Sequence, residues 1–274
     1  MISETKNLLL VGESLNGTIS KVNEAIGKRD ADFVRNSARA QTESGATWLD
    51  LNAGAVAGRD EGESLIWLLQ TAREATELPF VIDSPSPQVL VKAIGSYKGP
   101  GPILSSVTAE EKSLETVMPL TAEYQCGIVG LCMDAEGVPN DSEGRLKAAE
   151  KLVASALYYG VALENLYLDP LVMTVATKPD IAFIIRDTIR GIRERYPEIK
   201  ILTAPSNLSF GMPNRRLLNR TFISMLLFEG IDGIIYNALD HDSYASILAS
   251  EVLTGKDKRS KNYLKAFREG KLVS

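Results

Sequence analysis

The 274-residue chain predicts an α/β fold of the (β/α)8 TIM-barrel type, on three observations. Short β-branched apolar runs recur at intervals of roughly 23–39 residues, each too short for anything but a buried strand. The stretches between them carry helical periodicity. The length fits the ~250 residues typical of one such barrel. An open doubly wound sheet is the structural competitor. It lacks its usual mark here, because no run is followed by the glycine spacing of a dinucleotide loop and Gly-x-x-x-x-Gly-Lys is absent.

In chain order the strand candidates begin with Leu8–Val11, Thr47–Leu51, Pro79–Asp83 and Pro102–Ser105. They continue with Gly127–Leu131, Asn165–Asp169, Lys200–Thr203 and Gly233–Tyr236. Their apolar residues run on without alternation, as suits parallel strands covered on both faces. Between the third and fourth, Ser86-Pro87 offers an N-cap hydroxyl before a proline at the first helical position, and Val89, Leu90, Ala93, Ile94 and Tyr97 share a stripe. Leu146, Ala149, Val153 and Ala156 form another, closed near Gly160. Ile181, Ile185, Ile189, Ile192 and Tyr196 make a core face with Arg186, Arg190 and Arg193 toward solvent, and Pro197 stops that helix. No Pro/Gly/Ser linker divides the chain, so residues 1–274 are read as one domain with a short helical extension at the C-terminus.

Composition excludes several functions. A single His (His241) and two Cys (Cys126, Cys132) leave no disulfide framework and no His-rich metal site. The excess of 35 Asp+Glu over 30 Lys+Arg argues against a nucleic-acid binder, whose phosphate contacts need a basic face. No apolar stretch is long enough to span a bilayer, and Met1–Asn7 leads into too short a run for a signal peptide. The expectation is a cytoplasmic protein with reduced thiols. Cys126 and Cys132 read as small buried hydrophobes, His241 as a polar residue at a helix start, and Lys256–Lys261 as a solvated face.

Barrel chemistry sits at the carboxyl ends of the strands. There this chain places Glu13 and Asn16, Asp50 and Asn52, Asp83-Ser84, Ser105-Ser106, Asp169-Pro170, Ser206-Asn207 with Arg215 beyond, and Asn237 and Asp240. Helix caps and turns also favour Asp, Asn and Ser. Asp83, however, precedes Ser-Pro-Ser-Pro, which leaves capping to Ser86. Asp169 is followed by Pro170 and apolar residues, with no helix beginning before about Lys178. A ring of acids and amides without Lys, His or Cys nucleophiles suits a flat heterocycle whose ring N–H and exocyclic NH2 donate together to one carboxylate. A Mg²⁺ site on Asp50, Asp83 and Asp169 is the rival chemistry.

The segments Val11–Gly17, Leu49–Gly54, Val81–Ser84, Tyr167–Leu171, Ser206–Arg215 and Leu218–Phe222 occur together and in this order. On them the chain resembles the pterin-binding methyltransferase family, which comprises the methyltetrahydrofolate:corrinoid-protein methyltransferases and the folate domain of cobalamin-dependent methionine synthase. The resemblance implies a pterin-binding barrel, usually a homodimer, that holds tetrahydrofolate or 5-methyltetrahydrofolate at the strand ends. By position Asp83 and Asp169 match the pterin-holding carboxylates, Asn207 the asparagine that reaches N5, and Arg215 an arginine near the folate. Asn207, Asp83 and Asp169 are the expected catalytic set. Glu13, Asn16, Asp50, Asn52, Ser105 and Arg215 join them as expected folate-binding residues, with no tightly bound metal.

Two departures inform that reading. Ser105 stands where the family commonly has an asparagine, so one hydroxyl replaces two amide donors and a carbonyl. Dihydropteroate synthase, the sister family, resembles this barrel but uses a strand-seven lysine followed by a Ser-Arg-Lys-type loop, where this chain has Ala204-Pro205-Ser206-Asn207 without the cations. A dihydropteroate-synthase-like enzyme and a non-catalytic folate-binding barrel are the alternatives. The corrinoid family's Asp-x-His-x-x-Gly ligand motif is not matched by Asp240-His241-Asp242-Ser243, and the length leaves no room for a corrinoid domain. The corrinoid (cobalamin) is therefore expected on a separate corrinoid-binding protein, with this chain as the folate-side methyltransferase of a multi-protein demethylase. The direction of transfer is open at this level.

Overall fold

The computed structural model describes residues 8–272, so the leader reading of Met1–Asn7 and the last two residues of the predicted domain lie outside the described residues. Eight strands close into a barrel in sequence order: β1 Leu9–Asn16, β2 Trp48–Asn52, β3 Phe80–Asp83, β4 Ile103–Thr108, β5 Gly127–Leu131, β6 Leu166–Asp169, β7 Lys200–Thr203 and β8 Gly233–Tyr236. All neighbouring pairs are parallel, β1 with β8 included. The predicted (β/α)8 barrel is the observed fold.

Two apolar cores explain why the runs are apolar throughout. Alternate residues of each strand point inward, and Val11, Val81, Ile103, Val129, Tyr167 and Leu202 fill the barrel interior. Their neighbours Leu10, Leu49, Leu51, Ile82, Leu104, Ile128, Leu168, Ile201 and Ile234 point outward into the second core, under the helices. The period of two has a consequence for function. One step above the inner core, the same inward face reaches Glu13, Asp50, Asp83, Ser105 and Asp169.

The covering helices are α1 Ser20–Lys28, α2 Ala31–Glu43, α3 Glu61–Arg73, α4 Pro87–Ser96, α5 Glu111–Tyr124, α6 Ser142–Tyr159, α7 Ile181–Arg195, α8 Arg215–Phe228, α9 His241–Leu253 and α10 Lys261–Arg268. Asp30, Asp60 and Asp141 cap α2, α3 and α6, each accepting from a backbone N–H in the first turn. None of the three belongs to the strand-end set. Pro87 opens α4 as expected, but Ser86 does not cap it: its hydroxyl bonds Gln88 Oε1.

Three further sequence expectations need correction. Arg193 does not face solvent, for its guanidinium folds back onto the carbonyls of Ile199 and Gly230 and onto Asp232. In α6 the half-buried residue is Leu146, while Arg145 is buried to 1% exposure. In the Lys256–Lys261 run, Asp257 is buried and accepts from the N–H groups of Asn262 and Tyr263, and Lys256 Nζ donates to Ile231 O. The other minor readings agree with the structure: His241 is exposed at the start of α9, and both cysteines are free and buried. No helix of the described residues is long and apolar enough to cross a membrane.

Two strands outrun their predicted ends by three residues or more. β1 continues to Asn16 through a bulge between Gly12 and Leu15, and β4 continues to Thr108 through one between Ser105 and Val107. Both bulges lie at the mouth and re-aim side chains there. Beside the first, the β1–α1 and β2–α3 connections touch backbone to backbone. A Cβ on Gly17 would stand 1.9 Å from Ala53 O, and Gly54 adopts φ +62° against it. Glycine is required there.

Candidate active site

Strand register assembles one side of the mouth. Asn16, Asn52, Asp83 and Ser105 are successive partners across β1, β2, β3 and β4, and so lie in one row. Asn52 Nδ2 donates to Asp83 Oδ2 at 2.7 Å, and Ser105 bonds the same carboxylate. Asn52 Oδ1 meanwhile accepts from Gly54 N at 2.7 Å, which fixes the amide's orientation. Asn16 Oδ1 accepts from the N–H and the hydroxyl of Thr18, and the side chain bonds Asp50. This row is a set of carboxylates oriented by amides.

Burial dominates its electrostatics. Asp50 is held well above the usual carboxylate range by burial, then by the neighbouring Asp83 and Glu13. Asp83 is raised by burial against the lowering bonds from Asn52 and Ser105. Burial also pushes Glu13 up to about 7, opposed by a bond to Ser206 and by the Arg215 guanidinium. A carboxyl poised near neutrality can hold or release a proton under working conditions.

The opposite side is built on β6 and β7. Asp169 closes β6, three strands from Asp83 around the ring. Its Oδ1 accepts from the Thr203 hydroxyl at 2.7 Å and from Leu171 N at 2.8 Å. Burial lifts its pKa to about 6 against those two bonds and the Arg145 charge. Past β7 a 3-10 turn over Pro205–Ser209 carries Asn207, which is exposed. Arg215 braces that turn: Nη2 donates to Ser206 O at 3.0 Å and Nε to Ser209 Oγ at 3.1 Å. Glu13, through Ser206, links the turn to the acidic row.

The structure thus brings Glu13, Asn16, Asp50, Asn52, Asp83 and Ser105 into one network, with Ser206, Asn207 and Arg215 beside it and Asp169 facing it. Asn237 lies at the edge, its Oδ1 accepting from Leu239 N and the Ser14 hydroxyl. Asp240 stands apart, bonded to Ser243. Among the described residues no three His, Cys, Asp or Glu side chains group as metal ligands. The sequence reading missed Thr203 and Arg145. A signal existed for Arg145, which sits at i, i+4, i+7 and i+11 with Ala149, Leu152 and Ala156 on the buried stripe of α6.

Facing carboxylates rimmed by amides accept from the N–H and NH2 edge of a flat heterocycle. A model of pterin-binding enzymes matches residues 12–237, from the bulge in β1 to just past β8. The chain belongs to the pterin-binding enzyme family. Within the family it is 36% identical over 267 residues to a methylcorrinoid:tetrahydrofolate methyltransferase of Eubacterium limosum, covering 97% of this chain and 98% of that one. It is 28% identical over 251 residues to methionine synthase of Mycobacterium tuberculosis, covering 86% of this chain and 21% of the longer protein. A dihydropteroate synthase of Coxiella burnetii, solved with pteroic acid, shares the pterin-binding fold at 11% identity and TM-score 0.67, over 90% of this chain and 93% of that one. The lysine of this chain on β7 is Lys200, at the strand's start, where it bonds the Tyr167 hydroxyl inside the barrel.

Proposed function

We propose that this pterin-binding enzyme moves a methyl group between the cobalt of a separate corrinoid protein and N5 of tetrahydrofolate. The observation that carries the reading is the end-to-end match to a methylcorrinoid:tetrahydrofolate methyltransferase. The mouth supports it. Asp83 and Asp169 accept from the pterin's N–H groups from opposite sides, with Asn52 and Thr203 holding their carboxylates in place. Asn16, Asp50, Ser105 and Glu13 line the row behind Asp83, and Arg215 fixes the turn that presents Asn207 to N5.

Transfer toward folate forms the N5–carbon bond as the carbon–cobalt bond breaks. The electron pair of that bond stays on cobalt, and the N5 proton departs. This chain's residues orient the ring, exclude water and receive that proton. Asn207 bonds at N5. Glu13, bonded to the neighbouring Ser206, supplies a carboxyl able to take up a proton near pH 7. In the reverse direction the same groups protonate N5, which makes the amine a competent leaving group.

The reading extends to setting. The naming of the donor first in the Eubacterium limosum relative favours the methylcorrinoid-to-folate direction, as in the folate-side component of a multi-protein demethylase. The two free, buried thiols suit a reducing cytoplasm. A homodimer fits the outer face between α7 and α8, where a groove of about 770 Å³ is lined by Phe183, Met225 and Phe228 with both Arg190 and Glu229. The two charges pair with each other, which leaves the exposed apolar residues as the surface a two-fold contact would cover.

An anaerobic spectral assay with methylcob(III)alamin and tetrahydrofolate tests the function. The methyl–cobalt spectrum should disappear. Asn207→Ala should keep folate binding while transfer slows about 10²-fold, the scale of losing one placed donor. A spectrum that persists even with candidate corrinoid proteins overturns the function. Undiminished transfer by the variant overturns the role of Asn207.

A further inference from the structure

Arg145 has no obvious reason to be where it is. It lies on the buried face of α6 at 1% exposure, where an aliphatic residue would pack at lower cost. No carboxylate forms a salt bridge with it among the described residues, and its Nε is buried without a partner. Nη1 donates to two successive backbone carbonyls, Pro170 O and Leu171 O, immediately after Asp169. Leu171 is left-handed at φ +60°, a conformation that a branched side chain rarely adopts. In the same turn the Leu171 N–H points back to Asp169 Oδ1.

We propose that Arg145 is a positioning residue for folate recognition: by clamping the carbonyls of Pro170 and Leu171 it enforces the turn that aims the Asp169 carboxylate at the pterin. The inference rests on the folate reading above. Both bonds to Asp169 fall on Oδ1, one from the clamped turn and one from Thr203, so Oδ2 is left for a ligand. The groups facing the pair are few. Cys132, whose N–H donates to Asp169 O, lies against both Asp169 and Arg145, and Asp141 at the start of α6 also acts on Arg145. The guanidinium helps to hold Asp169 ionised against its burial.

Calorimetric titration of the full chain with tetrahydrofolate, run anaerobically from about pH 5 to about pH 8, tests this. Wild type should lose affinity as pH falls through about 6, where Asp169 takes up its proton. Arg145→Met should bind about tenfold more weakly or worse at neutral pH, with the midpoint moved to higher pH. Arg145→Lys keeps the charge on a shorter stem whose ammonium does not reach the carbonyls as the guanidinium does, and should show an intermediate loss with the midpoint near wild type. A purely structural arginine would lower the melting temperature of Arg145→Met and leave folate affinity and midpoint unchanged, and that result overturns the proposal. If Arg145→Met does not fold, Arg145→Lys carries the test. Unchanged affinity, or a loss that Leu171→Gly in the same chain leaves untouched, overturns the proposal, whereas partial recovery by that glycine supports it. A wild-type chain that binds no tetrahydrofolate sinks the folate reading and this role with it. Wild-type binding matched by the variants sinks only the role of Arg145.

Discussion

At the scale of single residues, the site trades stability for recognition. Glu13 and Asp169 have folded-state pKa values above their unfolded ones, so the folded protein holds protons that the unfolded chain has released. Stability therefore falls as pH rises, from about 4.5 to about 7 for Glu13 and from about 3.8 to about 6 for Asp169. Glu13→Gln and Asp169→Asn should each be more stable than wild type above that window, by at most about 3 kcal/mol, and the gain should vanish below it. Melting curves at pH values above and below the window check the sign. Asp169→Asn should also weaken folate binding, because a neutral amide is the poorer partner for the pterin edge. Ser105 offers the opposite experiment. It bonds Asp83 from the position where the family resemblance leads one to expect an asparagine. Ser105→Asn adds donors and should tighten tetrahydrofolate binding about fivefold by calorimetry, the worth of one net hydrogen bond. A weaker complex would show that the hydroxyl is matched to this mouth.

At the scale of elements, the strand ends were legible because parallel buried strands announce themselves as apolar runs and end in polar residues. The bulges in β1 and β4 were not, since a bulge leaves no mark in hydrophobic pattern. It decides, however, that Glu13 and Asn16 sit inside a strand and share its inward face. The contact of Gly17 with Ala53 makes a sharp prediction. Gly17→Ala must push the two mouth connections apart, costing about 2–4 kcal/mol in urea unfolding and lowering folate affinity with it. Gly101→Ala, which meets nothing within 4 Å, should change stability by no more than about 0.5 kcal/mol. Helix α6 teaches a further lesson. The spacing of Arg145 on an apolar stripe marks it as buried, but its partners, two carbonyls 25 and 26 residues away, are visible only in the fold.

At the scale of the whole molecule, the outer face of α7 and α8 leaves Phe183, Met225 and Phe228 at 60, 50 and 76% exposure. Exposed aromatic area on that scale favours an interface. Phe228→Glu should convert a dimer to a monomer in sedimentation velocity, and a wild type that sediments as a monomer excludes the dimer outright. The sequence by itself determined the barrel, the strand ends and the carboxylates and amides placed there, because periodicity and chain order are local properties. The tertiary structure decided which of them meet. Register across β1 to β4 put Asn16, Asn52, Asp83 and Ser105 in one row, and closure of the ring set Asp169 opposite them. It also supplied Thr203 and Arg145, whose partners lie tens of residues away. Hydrogen bonds between distant strands depend on shear and bulge, and those are fixed only when the barrel closes.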